Sequence, residues 1–124
     1  MAEEKKKILV IDDSQSSRFL YKTVLSNNRN YSVFLCSTLK EGLDRFYQLD
    51  PDLIVLDMDL PDGTGVDFLK DIRSNESQCN VIIISAIKNS NVIIQSAKLG
   101  IGTYLIKPVD INLFLKKVKE FLGE

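Results

Sequence analysis

Three aspartates of this sequence follow apolar runs. Asp12 and Asp13 follow the run at residues 8–11, and Asp57 follows the run at residues 53–56. Carboxylate oxygens are the hard ligands that Mg²⁺ prefers, and a small carboxylate set leaves room in its shell for water and phosphate oxygens. If the two runs are neighbouring strands, their ends meet, and the sequence predicts a magnesium site there.

Folding by itself gives no reason to gather these carboxylates. Two ionised carboxylates about 5 Å apart repel by roughly 3 kcal/mol at an effective dielectric near 20, a large share of the roughly 5 to 15 kcal/mol that stabilises a typical domain. A bound cation would remove that penalty. Single acids more often cap helices or lie solvated in loops, and we expect those roles for Asp62 and Asp110. For Asp12, Asp13 and Asp57 together we favour the cation site.

Two further polar residues follow apolar runs in the same way. Ser85 comes after residues 81–84, and Lys107 comes after residues 104–106. A hydroxyl and a fixed ammonium group beside a metal site suit the stabilisation of phosphoryl oxygens, where charge develops during transfer. Ser85 and Lys107 are therefore candidate catalytic residues.

Hydrophobic patterning indicates the strands that must position these residues. Residues 8–11, 53–56 and 81–84 are continuous apolar runs rich in β-branched residues, as is typical of strands buried on both faces. Residues 32–36 and 103–106 are weaker strand candidates. Five strands are predicted in all.

Segments with helical periodicity separate these strands and follow the last one. Ser14 or Ser16 can cap the first helix, Thr38 can cap the second, and Gly100 is placed to end the fourth. Strict alternation predicts one α/β domain over residues 1–124, a (βα)5 doubly wound fold with helices on both faces of a parallel sheet. In the flavodoxin-like strand order 2-1-3-4-5, the first and third strands are neighbours, and their carboxyl ends form the binding crevice.

The composition excludes several classes of function. The chain has 124 residues, of which 44% are hydrophobic and 27% charged, so one folded domain is expected. A formal net charge of −1 argues against binding nucleic acid or acidic membranes through bulk charge. The chain contains no histidine, which removes Ser-His-Asp and Cys-His catalysis and His-ligated zinc. No glycine-rich nucleotide-binding motif is present.

The sequence also carries a prediction about location. Cys36 and Cys79 are too few for a disulfide scaffold, so free thiols in a reducing compartment are expected. The longest uninterrupted apolar runs are far shorter than the roughly 20 residues of a membrane span. The charged start at residues 1–7 is not followed by the apolar core of a signal peptide. We therefore expect a cytoplasmic protein with no membrane partner.

Five features in a fixed order resemble a known family. They are the acidic pair Asp12-Asp13, the apolar strand into Asp57, Pro61 and Gly65 four and eight residues later, the strand into Ser85-Ala86, and the run Tyr104-Leu105-Ile106-Lys107-Pro108. Each motif alone is weak, but in this order and spacing they are highly specific. Over essentially its whole length the chain resembles the receiver domain of response regulators in two-component signalling.

The resemblance implies a phosphorylation switch. Asp57 would accept a phosphoryl group from the phosphohistidine of a sensor histidine kinase or a histidine phosphotransfer protein. The protein would catalyse only its own phosphorylation and dephosphorylation, so it would not be an enzyme with turnover. The resemblance also implies that Asp12, Asp13, Asp57 and the backbone carbonyl of Asp59 bind Mg²⁺. Lys107 would pair with Asp57 and then with its phosphoryl group, and Ser85 would donate a hydrogen bond to that group. The ring of Tyr104 would act as the switch.

A partner surface is predicted on the face built by the fourth helix, fifth strand and fifth helix. Ile111 and Leu113 are expected to face away from the core, with Val92 and Ile93 adding apolar surface on the fourth helix. Such a patch would mediate homodimerisation or bind an effector domain. A slightly rotated helix that buries some of these residues is the equally weighted alternative.

Two other functions remain open at this point. Asp57-Met58-Asp59-Leu60 resembles the start of a haloacid dehalogenase-type phosphohydrolase, but that family places its second acidic motif after the lysine, whereas here the acidic pair precedes Asp57. A receiver-like interaction module that is never phosphorylated is the other alternative. All the implied site residues are present, which makes that alternative the weaker one.

Overall fold

A five-stranded parallel sheet forms the centre of the computed structural model, which describes residues 4–124. The strands of this sheet are β1 (Lys6–Ile11), β2 (Tyr31–Cys36), β3 (Leu53–Leu56), β6 (Asn80–Ser85) and β7 (Thr103–Ile106), while β4 (Asp59–Leu60) and β5 (Gly63–Thr64) form a separate two-stranded hairpin. The sheet has the order β2-β1-β3-β6-β7, which is the predicted order 2-1-3-4-5 when only the long strands are counted.

Five helices connect or follow the strands, and their starts are defined by side-chain caps. The helices are α1 (Gln15–Leu25), α2 (Leu39–Leu49), α3 (Gly65–Ser74), α4 (Ser90–Lys98) and α5 (Ile111–Phe121). Ser14 caps α1 by accepting from Ser17 N, and Thr38 caps α2 by accepting from Glu41 N. Gly100 has a positive φ just after α4, as expected of a residue that ends a helix.

Two hydrophobic cores lie on opposite faces of the sheet. Alternate residues of β1 divide between them: Ile8 packs with Tyr21 and Phe114 on the side of α1 and α5, and Leu9 packs with Phe68 on the side of α2, α3 and α4. Since both faces are covered, the central strands are apolar throughout rather than alternating. The predicted fold class is confirmed.

The structure differs from the predicted pattern in small elements. The β4–β5 hairpin was not expected, because two residues per strand give no periodicity to detect.

Asp110 caps α5 by accepting from Leu113 N, as expected of a structural acid. Within residues 4–124, none of the helices combines the length and apolarity that a membrane span requires.

Candidate functional site

Three carboxylates converge at the carboxyl edge of the sheet. Asp12 and Asp13 follow β1 and Asp57 follows β3, and Ile11 and Leu56 are register partners at the ends of these strands. One carboxylate oxygen from each aspartate lies within 4.8 Å of the others. Asp12 and Asp57 are only 2% and 5% exposed, whereas Asp13 is open to solvent. The site is therefore a partly enclosed acidic pocket with one open side.

The loop after β1 fixes Asp12 by its backbone and by its side chain. Asp12 N donates to Cys36 O at 3.0 Å, and Arg18 Nη1 donates to Asp12 O at 2.8 Å. Ser14 N donates to Asp12 Oδ1 at 2.9 Å. Sequence reasoning missed Arg18, since an arginine in the first turns of a helix is ordinarily a solvent-facing residue.

Lys107 joins the two buried carboxylates. Its Nζ lies 3.0 Å from Asp12 Oδ2 and 3.2 Å from Asp57 Oδ2. Lys107 follows β7 and is held there by its backbone N–H, which donates to Ser85 O at 2.9 Å. The Lys107–Pro108 peptide bond is cis. The cluster thus contains three carboxylates and one ammonium group, which pairs with two of them, and an excess of negative charge remains.

Burial and charge shift the pKa values of this cluster. Burial raises the pKa of Asp57, with a further rise from the charge of Asp12, while the hydrogen bond from Asp59 N and the ammonium group of Lys107 oppose the rise. Burial alone would lower the pKa of Lys107. Its hydrogen bonds and charge interactions with Asp12 and Asp57 together outweigh that effect, so the pKa of Lys107 lies above its ordinary value.

The donor set fits a hard divalent cation. Its oxygens are carboxylate oxygens, they come from two neighbouring strand ends, and one of the three residues is open to solvent. A small oxygen set with an open side suits Mg²⁺, which keeps several of its waters. The excess negative charge of the cluster favours any dication over the empty state.

Asp59 lies in the hairpin, two residues after Asp57, and contacts it through its backbone N–H. Asp59 N donates to Asp57 Oδ1 at 3.2 Å, and Asp59 pairs with Thr64 across the hairpin. Asp62, at the hairpin turn, accepts from the N–H groups of Leu39 and Lys40 at the start of α2. Asp62 therefore has the capping role expected of it, although the helix it caps is distant in sequence.

Ser85 and Tyr104 both bond to the backbone of one residue, Ile87, rather than to the carboxylates. Ser85 is fully buried, and its Oγ accepts from Ile87 N at 3.1 Å. The Tyr104 hydroxyl donates to Ile87 O at 2.8 Å. The Ile87 residue at the start of the β6–α4 loop is thus held at both its N–H and its C=O.

The predicted partner surface is only partly exposed. Leu113 is 40% exposed, and Ile94, which the sequence prediction did not include, is 53% exposed. Ile93 and Ile111 are half-buried, and half-buried Val92 packs against the core. That this face binds a second copy or an effector domain stays a prediction.

The comparisons with known proteins decide the family. The family model described as "Response regulator receiver domain" matches residues 8–119. The chain belongs to this family. Sporulation initiation phosphotransferase F of Bacillus subtilis is 34% identical over 116 residues, which cover 94% of this chain and 93% of that protein. The KDP operon transcriptional regulatory protein KdpE of Escherichia coli is 36% identical over 105 residues, covering 85% of this receiver domain and 46% of KdpE.

Solved structures agree with this assignment. The response regulator receiver domain protein (CheY-like) of Methanospirillum hungatei superposes with a TM-score of 0.91 and 27% identity, covering 97% of this receiver domain and 95% of that chain. A two-component response regulator of Clostridium difficile gives a TM-score of 0.89 and 29% identity, covering 97% and 98%. This receiver domain functions in phosphorylation-dependent signalling, and neither the phosphohydrolase nor the unphosphorylated module is favoured.

Proposed function

We propose that Asp57 is the phosphorylated residue and that Mg²⁺ bound by Asp12, Asp13, Asp57 and the Asp59 carbonyl is required for the transfer. The observation that carries this proposal is the convergence of three carboxylates within 4.8 Å with Lys107 bonded to two of them. A cluster of like charges that folding does not reward is expected where a ligand supplies the compensating charge.

The donor in this proposal is a phosphohistidine of a sensor histidine kinase or a histidine phosphotransfer protein. A carboxylate oxygen of Asp57 forms a bond to phosphorus as the bond from phosphorus to the histidine nitrogen breaks. The nitrogen keeps the electron pair and takes a proton from solvent. When bound, Mg²⁺ supplies charge neutralisation for the carboxylates and the phosphoryl oxygens. The domain takes up one group per cycle and catalyses only its own modification.

Two contacts of Asp57 define how this chain's residues act. Lys107 Nζ, 3.2 Å from Asp57 Oδ2, is an ammonium group positioned to pair with a phosphoryl oxygen once the carboxylate has become an acyl phosphate. Asp59 N, 3.2 Å from Asp57 Oδ1, keeps the carboxylate oriented. Burial leaves the ionised oxygen of Asp57 less well solvated, which raises the pKa of Asp57 and makes that oxygen a better nucleophile than an exposed carboxylate.

The response to phosphorylation begins at Ser85. The Ser85 Oγ accepts from Ile87 N through a lone pair, so its own hydrogen remains free to donate to the phosphoryl group. Movement of this hydroxyl toward the phosphoryl group pulls on Ile87, whose carbonyl oxygen accepts from the Tyr104 hydroxyl. The β6–α4 loop rearranges around Tyr104, and the surface of α4, β7 and α5 changes with it.

The test uses acetyl phosphate and Mg²⁺ with detection of a phosphoryl adduct by intact-protein mass spectrometry. The wild type is expected to gain one phosphoryl group that is lost on hydroxylamine treatment, and Asp57→Asn is expected to gain none. Asp44→Asn, the same chemical change at an exposed ion pair with Lys40, is the matched control and should behave as wild type. Equal labelling of the wild type and Asp57→Asn would refute the assignment of Asp57.

A further inference from the structure

The backbone carbonyl of Asp59 belongs to an element that is too short to hold its own position. The β4–β5 hairpin has only two residue pairs, Asp59 with Thr64 and Leu60 with Gly63. An isolated hairpin is marginal in water even when it is longer. The position of the Asp59 carbonyl relative to Asp12 and Asp57 must therefore depend on contacts made outside the hairpin.

Asp62 makes the exposed part of those contacts. Its Oδ1 accepts from Leu39 N at 2.7 Å, and its Oδ2 accepts from Lys40 N at 3.0 Å. These bonds tie the tip of the hairpin to the first turn of α2, more than twenty residues away in sequence. Gly63 lies so close to α2 that a Cβ there would come within 2.5 Å of Leu39 Cδ2.

The helix does not need Asp62 as much as the hairpin does. Thr38 Oγ1 already caps α2 by accepting from Glu41 N at 3.1 Å. Lys40 is exposed and Leu39 is half-buried, but both hydrogen bonds to Asp62 lie at the surface, where water can accept from the two N–H groups if the carboxylate is removed. The other anchors of the hairpin are apolar, namely the burial of Leu60 in the core and the close approach of Gly63 to Leu39, so the hydrogen bonds that tie its tip to α2 are those of Asp62.

We propose that Asp62 is a positioning residue for the metal site, acting through the hairpin on the Asp59 carbonyl. By fixing the hairpin to α2, Asp62 keeps that carbonyl in place before a cation arrives. This inference rests on the proposed function, in which the Asp59 carbonyl is a ligand. Asp62 itself touches neither the cation nor the phosphoryl group.

The first experiment measures phosphorylation by acetyl phosphate as a function of Mg²⁺ concentration. In Asp62→Ala, the half-saturating Mg²⁺ concentration is expected to rise about 5-fold, while the rate at saturating Mg²⁺ stays within about 2-fold of wild type, because the carbonyl must be ordered when the cation binds. Asp62→Asn keeps one acceptor oxygen without the charge, so a rise of about 2-fold is expected. Both variants lose the charge of Asp62. If the half-saturating Mg²⁺ concentration rises equally in both, the lost charge explains the effect and the positioning role is overturned.

The matched control is Thr38→Ala, which removes the local cap of the same helix. It is expected to lower the melting temperature at least as much as Asp62→Ala but to leave the half-saturating Mg²⁺ concentration unchanged. A merely structural role for Asp62 predicts that the two variants behave alike. If Thr38→Ala shifts the Mg²⁺ dependence as Asp62→Ala does, the inference is wrong.

Amide hydrogen exchange in Mg²⁺-free protein separates this inference from the proposed function. Exchange in residues 59–64 is expected to accelerate about 10-fold in Asp62→Ala and to be unchanged in Thr38→Ala, as a local opening of the hairpin would require. Unchanged exchange in Asp62→Ala would overturn the inference even if Asp57 is phosphorylated. If Asp57 is not phosphorylated in the wild type, the proposed function fails while the exchange result still decides whether Asp62 holds the hairpin.

Discussion

Two charged sites at opposite edges of the sheet are built in opposite ways. At the carboxyl edge, three carboxylates lie together with one ammonium group that pairs with two of them, and the charges are not balanced. Near the amino end of β6, no carboxylate of residues 4–124 lies within 4.0 Å of the Arg73 guanidinium group. Its hydrogen bonds go to backbone carbonyl oxygens instead. The acceptors of Arg73 are the carbonyl oxygens of Leu99, Ser77, Cys79 and Gly100.

The difference separates a site that is complete from one that requires a ligand. The Arg73 guanidinium satisfies carbonyls at the ends of α3 and α4 and at the start of β6, so removing it can only leave groups unpaired. In the acidic pocket, removing one carboxylate relieves repulsion. A substitution should therefore destabilise the protein at Arg73 and stabilise it at Asp57, and a dication should act only on the acidic pocket.

The largest effect is expected from Arg73→Ala. Loss of several charge-assisted bonds to carbonyls should lower the free energy of unfolding by about 3 kcal/mol. Urea denaturation followed by circular dichroism measures it. Arg73→Lys keeps the charge but not the forked donors and should lose most of the same stability, whereas Lys70→Ala, on the exposed side of α3, should change little. Full stability of Arg73→Lys would mean that charge rather than donor geometry matters at this site.

Mg²⁺ is expected to stabilise the protein through the acidic pocket alone. At a concentration 100 times its dissociation constant, a ligand that binds only the folded state adds about 2.7 kcal/mol. Thermal unfolding with and without Mg²⁺ measures the gain, and chelation should reverse it. The gain should be much smaller in Asp13→Asn, which loses the most open carboxylate, and intact in Arg73→Lys. A full gain in Asp13→Asn would show that Mg²⁺ acts elsewhere.

Asp57→Asn is expected to raise stability by roughly 1 kcal/mol in Mg²⁺-free buffer at pH 7. At an effective dielectric near 20, Asp57 is repelled by about 3 kcal/mol from each of the other two carboxylates and attracted by about 5 kcal/mol to Lys107, which leaves a small net repulsion. The raised pKa of Asp57 agrees with this net repulsion, since burial and the charge of Asp12 both disfavour the ionised form of Asp57. Urea denaturation decides it, and a less stable variant would mean that the bond to Lys107 dominates.

The acidic pocket was predictable because its residues are tied to strand ends. Asp12, Asp13 and Asp57 each follow an apolar run, and the strand order alone brings those runs together. The topology of the sheet was predictable for a related reason, since continuous apolar runs and short connections leave few alternatives. Patterns that repeat along the chain are visible without coordinates.

The contacts of single polar residues were not predictable. Arg18 and Arg73 look like ordinary charged positions on helices, and only the folded chain shows that their guanidinium groups bind backbone carbonyls. Ser96 on α4 is fully buried with its Oγ bonded to Val92 O, although nothing in its spacing distinguishes it from exposed serines. Leu20 and Phe19 on α1 remain exposed despite their apolar side chains, because the helix turns Tyr21 and Leu25 toward the core.

The smallest predicted effect tests whether burial or charge governs the Arg73 region. Burial raises the pKa of the Cys79 thiol to about 12, even though the nearby Arg73 charge acts to lower it. The folded state therefore keeps this thiol neutral, whereas in the unfolded chain the thiol ionises near its ordinary pKa of 9.0. The contribution of the neutral thiol to the free energy of unfolding is fully present at neutral pH and is lost as the pH rises above 9.0. The difference in unfolding free energy between wild type and Cys79→Ala should shrink by about 0.8 kcal/mol between pH 7 and pH 9.5. A difference that does not change with pH would mean that the attraction of the Arg73 charge cancels the effect of burial on the thiol, and the contrast between the two sites would not hold.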